Sequence, residues 1–124
     1  DRFNGAPDNG SVKEGDMDRC QVFVALGDWD YRTYGGTPES PVQVNTTDRS
    51  TFFKSDSEAV IGYGAYVGDK ATDGWIKVEI PIEYVSVSRK PTHIIVSCAA
   101  SMYGDYFTGS TSSILWIDGM ELVY

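Results

Sequence analysis

Residues Gly27 to Gly36 read GDWDYRTYGG. Trp29, Tyr31 and Tyr34 are interleaved there with Asp28, Asp30 and Arg32, and glycine stands at both ends. A pyranose ring presents an apolar C–H face edged by hydroxyls. An aromatic ring can cover the face while carboxylate and guanidinium groups bond the edge. The pattern therefore suits sugar binding, with Trp29 and Tyr31 as the preferred pair, Tyr34 as a secondary ring, and Asp28, Asp30 and Arg32 as hydrogen-bonding groups. The competing reading folds the same rings back over the edge of a sheet. Loops carry binding residues disproportionately, and both readings stand at this level.

A second stretch, Gly104 to Gly109, reads GDYFTG. Tyr103, Tyr106 and Phe107 could form a stacking platform, with Asp105 accepting bonds from sugar hydroxyls. The regular placement of glycine and acid favours loop architecture instead. In that case the glycines supply positive φ, Asp105 satisfies loop N–H groups and Phe107 plugs the end of the fold. Tyr106 and Asp105 are kept as secondary ligand contacts.

The remaining acids point to less. Asp16, Asp18, Asp28, Asp30 and Asp118 could offer oxygens to Ca²⁺, but none has EF-hand spacing. Solvated surface acids are the ordinary reading. No cofactor is expected, and a structural Ca²⁺ clamping the N-terminal loop is the one option left open. Glycoside hydrolysis needs two carboxylates about 5 to 9.5 Å apart. Glu79 and Glu83 lie on or near one strand and Glu121 on the last, and Glu79 sits beside Lys77, where an exposed ion pair is the simplest expectation. His93 is the single histidine. It shares no face with Cys98, and no serine has a nucleophile-elbow setting. No catalytic residue is assigned.

These groups must be positioned by strands, because the apolar spacing is period two and no long helical pattern occurs. Trp75 to Ile82 places Ile76, Val78, Ile80 and Ile82 on one face, with Pro81 demanding an edge or bulge. Cys20 to Leu26 places Val22, Val24 and Leu26 opposite Phe23 and Ala25. Thr92 to Ala100 is apolar on both faces and predicts a central strand. Ala59 to Val67 alternates around Gly62 and Gly64, which marks a bulge or a close backbone approach. Ser113 to Tyr124 predicts a last strand or strand pair interrupted at Asp118-Gly119. Short strands separated by polar loops indicate an all-β antiparallel sandwich, a jelly roll, in a single domain over 1–124.

Composition narrows the partners. The net charge of −8 and pI of about 4.4 leave no basic stripe for nucleic acid or anionic lipid surfaces. No apolar run reaches the roughly 18 residues of a spanning helix, so no membrane insertion is expected. Cys20 and Cys98 read as buried free thiols, with a disulfide as the alternative.

Lys90 to Tyr124 resembles the closing segment of the Putative carbohydrate metabolism domain of Bacteroidetes surface proteins. The match rests on Pro91, Ile94 to Val96, Ser97 to Ser101, Gly104 to Gly109, Ser113, Leu115, Asp118, Leu122 and Tyr124. Asp18 to Asp30 and Tyr63 to Val67 resemble earlier, weaker elements of the same family. Gly119 departs from the pattern, standing where a second acid is common. The family's tyrosine- and lysine-rich strand would precede residue 1, so the chain is expected to lack one or two strands of the complete domain.

The resemblance implies a galactose-binding-like jelly roll similar to carbohydrate-binding modules. It further implies a non-catalytic module of a secreted or surface-anchored protein, with other domains, at the outer-membrane surface, in the periplasm or outside a Gram-negative cell. A glycoside hydrolase or lyase, and a structural or adhesive surface domain, are the alternatives.

Overall fold

The computed structural model describes residues 2–5, 7–40 and 47–124. Strand dominates its regular structure: β1 (Cys20–Gly27), β2 (Val60–Gly68), β3 (Glu83–Tyr84) and β4 (His93–Ala99). The helical parts are one α-turn, α1 (Tyr31–Tyr34), and two 3₁₀ turns, Arg49–Thr51 and Gly104–Tyr106. The strands form one antiparallel sheet in the order β3-β2-β1-β4. β2 and β3 pair with Gly62 opposite Tyr84 and Tyr63 opposite Glu83. Valine, phenylalanine, isoleucine and tyrosine in β1 and β2 fit a pleated, half-covered surface, which is why those two runs become strands. No helix among the described residues is long and apolar enough to cross a membrane.

The contacts divide the chain into two compact units. The first comprises Asp1–Gln21, Val67–Trp75 and Cys98–Tyr124, and the second Val22–Tyr66 and Ile76–Ser97. In the second unit Val24, Ala25, Ala59, Val60 and Ile61 are buried. Phe23 stacks on Phe53 with ring centroids 5.0 Å apart and meets Tyr63 at 5.7 Å. Each fully buried aliphatic side chain contributes about 1.5–3 kcal/mol, so this small cluster is the apolar anchor of the sheet. The first unit buries Phe3, which lies 6.4 Å from the ring of Tyr103.

Several expected elements take a different form. Trp75 to Ile82 is extended but joins no ladder. Lys77 and Glu79 lie on one side at 2.9 Å in a fully hydrated ion pair, as a two-residue period requires. Ile76 and Val78 are 53% and 38% exposed, and only Ile80 and Ile82 are half-covered. Pro81 has no N–H to give, and its carbonyl is pressed against the backbone of Gly64. The apolar β4 stands at the end of the strand order, not at its centre, with Ile94, Ile95 and Val96 partly in solvent. No strand forms over Ser113 to Tyr124, where Trp116 is 77% exposed. Apolarity on both faces therefore does not fix a run's place in a sheet.

The Gly104–Tyr106 turn also departs from expectation. Positive φ falls on Phe107 (53°), not on a glycine of the motif, and Phe107 is exposed and plugs nothing. Its N–H reaches Gly104 O at 3.0 Å, and Thr108 N–H reaches Tyr103 O at 3.2 Å, so backbone bonds hold the strained residue. Cys20 and Cys98 are both free thiols, the first half-buried and the second exposed.

Gly64 is the position where this arrangement tolerates no side chain. A β-carbon there would collide with the Pro81 carbonyl and the Ile80 methyl. Backbone cannot swing aside as a side-chain tip can, so Gly64→Ala should cost about 1–3 kcal/mol. Thermal denaturation should show a Tm fall of several degrees, against no more than about one degree for Ala65→Ser at the exposed neighbour.

Candidate functional site

In the second unit the loop after β1 is built by local capping. Asp30 has an extended backbone (φ −99°, ψ 110°) and caps α1. Its Oδ1 accepts the Arg32 N–H at 3.0 Å and its Oδ2 accepts the Thr33 hydroxyl at 2.8 Å. The bond from the Thr33 hydroxyl, then that from the Arg32 amide, hold its carboxyl below the usual carboxylate range. Asp28 is likewise engaged. Arg89 Nε donates to its Oδ2 at 3.0 Å, while Arg89 Nη1 donates to Glu58 O at 2.8 Å. Asp28, and more weakly Tyr34, hold the guanidinium above its ordinary pKa.

These bonds set the rings. Trp29 and Tyr34 lie with centroids 5.1 Å apart at 40°, and both are half-buried. The Trp29 indole N–H points to Gly35 O at 3.4 Å, and its main-chain N–H donates to Thr92 Oγ1 at 2.7 Å. Tyr31 meets the His93 ring edge-on at 5.8 Å, and its hydroxyl is 3.1 Å from His93 Nε2. Thr92 Oγ1 lies 2.8 Å from His93 Nδ1 and 3.3 Å from Gly27 O.

Trp29, Tyr31, Tyr34, Asp28, Asp30 and Arg32 share this loop with divided roles. Both acids already serve as acceptors within the loop. Arg32 is exposed and, among the described residues, its guanidinium has no bonded partner. Arg89, Thr92 and His93 escaped sequence reasoning because they lie about sixty residues downstream, and no local spacing announces such a contact. Tyr106 and Asp105 belong to the first unit, on the Gly104–Tyr106 turn, where both are exposed.

The first unit holds a polar centre with no sequence signature. Asp18, expected as a solvated acid or calcium ligand, is 5% exposed. Its Oδ2 accepts the Ser101 hydroxyl at 2.5 Å, the Ser113 hydroxyl at 2.6 Å and the Ser110 N–H at 2.9 Å. Its Oδ1 accepts the Arg19 N–H at 2.8 Å. Burial pushes its pKa up, but the bonds from Ser101, Ser113, Ser110 and Arg19 together outweigh burial and hold it low. A β-carbon on Gly109 would stand 2.6 Å from Ser101 Oγ, so glycine is required for the loop to reach the carboxylate. Thr108, 2% exposed, accepts the Asn9 N–H at 3.1 Å and donates to Tyr106 O.

A cavity of about 140 Å³ lies beside this centre, lined by Cys20, Lys70 and Ser113 among others. Among the described residues no three histidine, cysteine or acidic groups gather as a metal site.

A family model described as Putative carbohydrate metabolism domain matches residues 4–123. No curated protein and no solved structure gives a significant match.

Two outcomes follow from the bonding. Asp18 has a lower pKa folded than unfolded, so its stabilisation is complete above about pH 4 and drains as pH falls through the folded value. Asp18→Asn should cost about 1.5–3 kcal/mol at neutral pH, and its urea midpoint should change less than the wild type's below pH 4. Arg89→Met should lower Tm only slightly, because the ion pair is more than a third exposed. It should nevertheless red-shift tryptophan emission, since Trp75 and Trp116 are already solvated and only Trp29 is half-buried.

Proposed function

The chain belongs to the Putative carbohydrate metabolism domain family, and from that premise we propose that it is a non-catalytic carbohydrate-binding module. Sugar rings stack on Trp29, with Tyr31 and Tyr34 completing the surface and Arg32 supplying a free donor. The observation that carries this reading is the half-buried Trp29–Tyr34 pair, in a loop tied down by Arg89 on Asp28 and by Thr92 on the Trp29 main chain. Rings fixed before binding lose little entropy when a ligand arrives, which is what a stacking platform needs. Tyr106 and Asp105 are exposed and remain secondary contacts in this proposal.

The wider reading is a single jelly-roll sandwich domain, supported by one family match running across both compact units. It would serve a secreted or surface-anchored protein of a Gram-negative bacterium such as a member of the Bacteroidetes, alongside other domains. A second reading, a structural or adhesive surface domain, is favoured by the exposed apolar residues of β4, Ile94 to Val96.

Affinity electrophoresis through a panel of soluble polysaccharides tests the binding reading. At least one polymer should retard the wild type, and Trp29→Ala with unchanged Tm should weaken that retention about tenfold. Equal retention of the two proteins would remove the loop from the site, and release of reducing ends would show a hydrolase instead.

A further inference from the structure

The first unit contains a second surface suited to a ligand, apart from the aromatic loop. It is an open cleft of about 410 Å³ lined by Arg2, Arg19, Tyr103, Asp16, Met17 and two residues of the N-terminal loop. Its volume lies in the range of small-molecule sites.

The two arginines are placed by backbone pairing. Arg2 and Met17 form an antiparallel bridge, reinforced by Phe3 N–H to Asp16 O at 3.0 Å and Gly15 N–H to Phe3 O at 3.2 Å. Bridge partners direct their side chains to one side, and Arg19, two residues beyond Met17, follows the same side. The intervening Asp18 turns inward and is buried, whereas Met17 and Arg19 are exposed.

Arg2 is held through its guanidinium and Arg19 through its main chain. Arg2 Nη1 donates to Gly15 O at 2.7 Å, and among the described residues its other N–H groups have no bonded partner. The Arg19 main chain is locked on both sides, its N–H on Asp18 Oδ1 and its carbonyl on the Met102 N–H, each at 2.8 Å. Its side chain has no bonded partner among the described residues. Asp16 Oδ2 is engaged by the Lys13 N–H at 2.8 Å.

Two like charges lining one cleft repel, and with one aspartate the cleft lining carries a net charge of +1 (two arginines less Asp16) on a chain of −8. An anion between the guanidiniums removes that repulsion, and each planar fork matches a carboxylate or sulfate through paired N–H bonds. Tyr103, half-buried against Phe3, supplies a fixed ring beside them.

We propose that this cleft is an anion-selective saccharide subsite, in which Arg2 and Arg19 hold a carboxylate or sulfate of an acidic sugar whose ring lies on Tyr103. Two arginines without a basic stripe fit a single acidic group, not a phosphate backbone. The choice of a sugar rests on the family membership; the site itself is independent of the Trp29 loop.

Isothermal titration with digalacturonate, a sulfated galactose disaccharide and neutral galactobiose is the test. At low salt one or both acidic probes should bind at least about tenfold more tightly than the neutral one. The advantage should shrink at high salt, and the acidic probe that binds identifies the anion. Arg19→Gln and, separately, Arg2→Gln should each lose about tenfold for that probe at unchanged Tm, with Arg19→Lys intermediate. Trp29→Ala should bind it as the wild type does. Equal affinity for acidic and neutral probes overturns the proposal, as does full binding by both glutamine variants. Loss in Trp29→Ala with retention in Arg19→Gln would place acidic sugars on the aromatic loop and overturn it as well, leaving the loop reading intact.

Discussion

A single buried carboxylate collects donors from four points of the chain. Ser101, Ser110 and Ser113 meet on one oxygen of Asp18, and Arg19 on the other. An ionised group this buried is tolerated only when its acceptors are filled, so residues 101 to 113 must turn back toward residue 18. The consequences extend outward. Gly109 has to lack a side chain, Thr108 is drawn inside, and the backbone of Arg19 is fixed from both directions. The first unit has few buried apolar side chains, and directional bonds take over much of the ordering that packing supplies in the second.

The second unit reaches order by the opposite route. Phe23, Phe53 and Tyr63 close over one part of β1 and β2, and Leu26, Ile82 and Tyr84 approach Gly62 elsewhere. The polar groups at its loop finish the job: Arg89 spans Asp28 and the Glu58 carbonyl, and Thr92 ties Trp29 to the start of β4. Charge in that loop is mostly internal currency, leaving ring faces and one guanidinium for a partner.

The two regions therefore differ in chemistry. One holds half-buried rings beside acids that are already engaged; the other holds two arginines and a tyrosine lining one cleft. The carbohydrate connection itself comes from the family match.

Residue order alone determined β1, β2 and the start of β4, because alternating branched and aromatic side chains have few other ways to be half-covered. It also marked Gly64 as a point of close approach and gathered Trp29, Tyr31 and Tyr34 in one loop, since all of that is encoded within ten residues. Tertiary structure decided the rest. Trp75 to Ile82 and Ser113 to Tyr124 carry good strand patterns yet form no ladder, because hydrogen-bond partners, not pattern, make a strand. Asp18 looked like any surface acid until donors more than eighty residues away enclosed it. Arg2 and Arg19 line one cleft once the Arg2–Met17 bridge has formed. Local spacing sets which way a side chain faces; what it meets there depends on distant chain, and no short-range pattern carries that information.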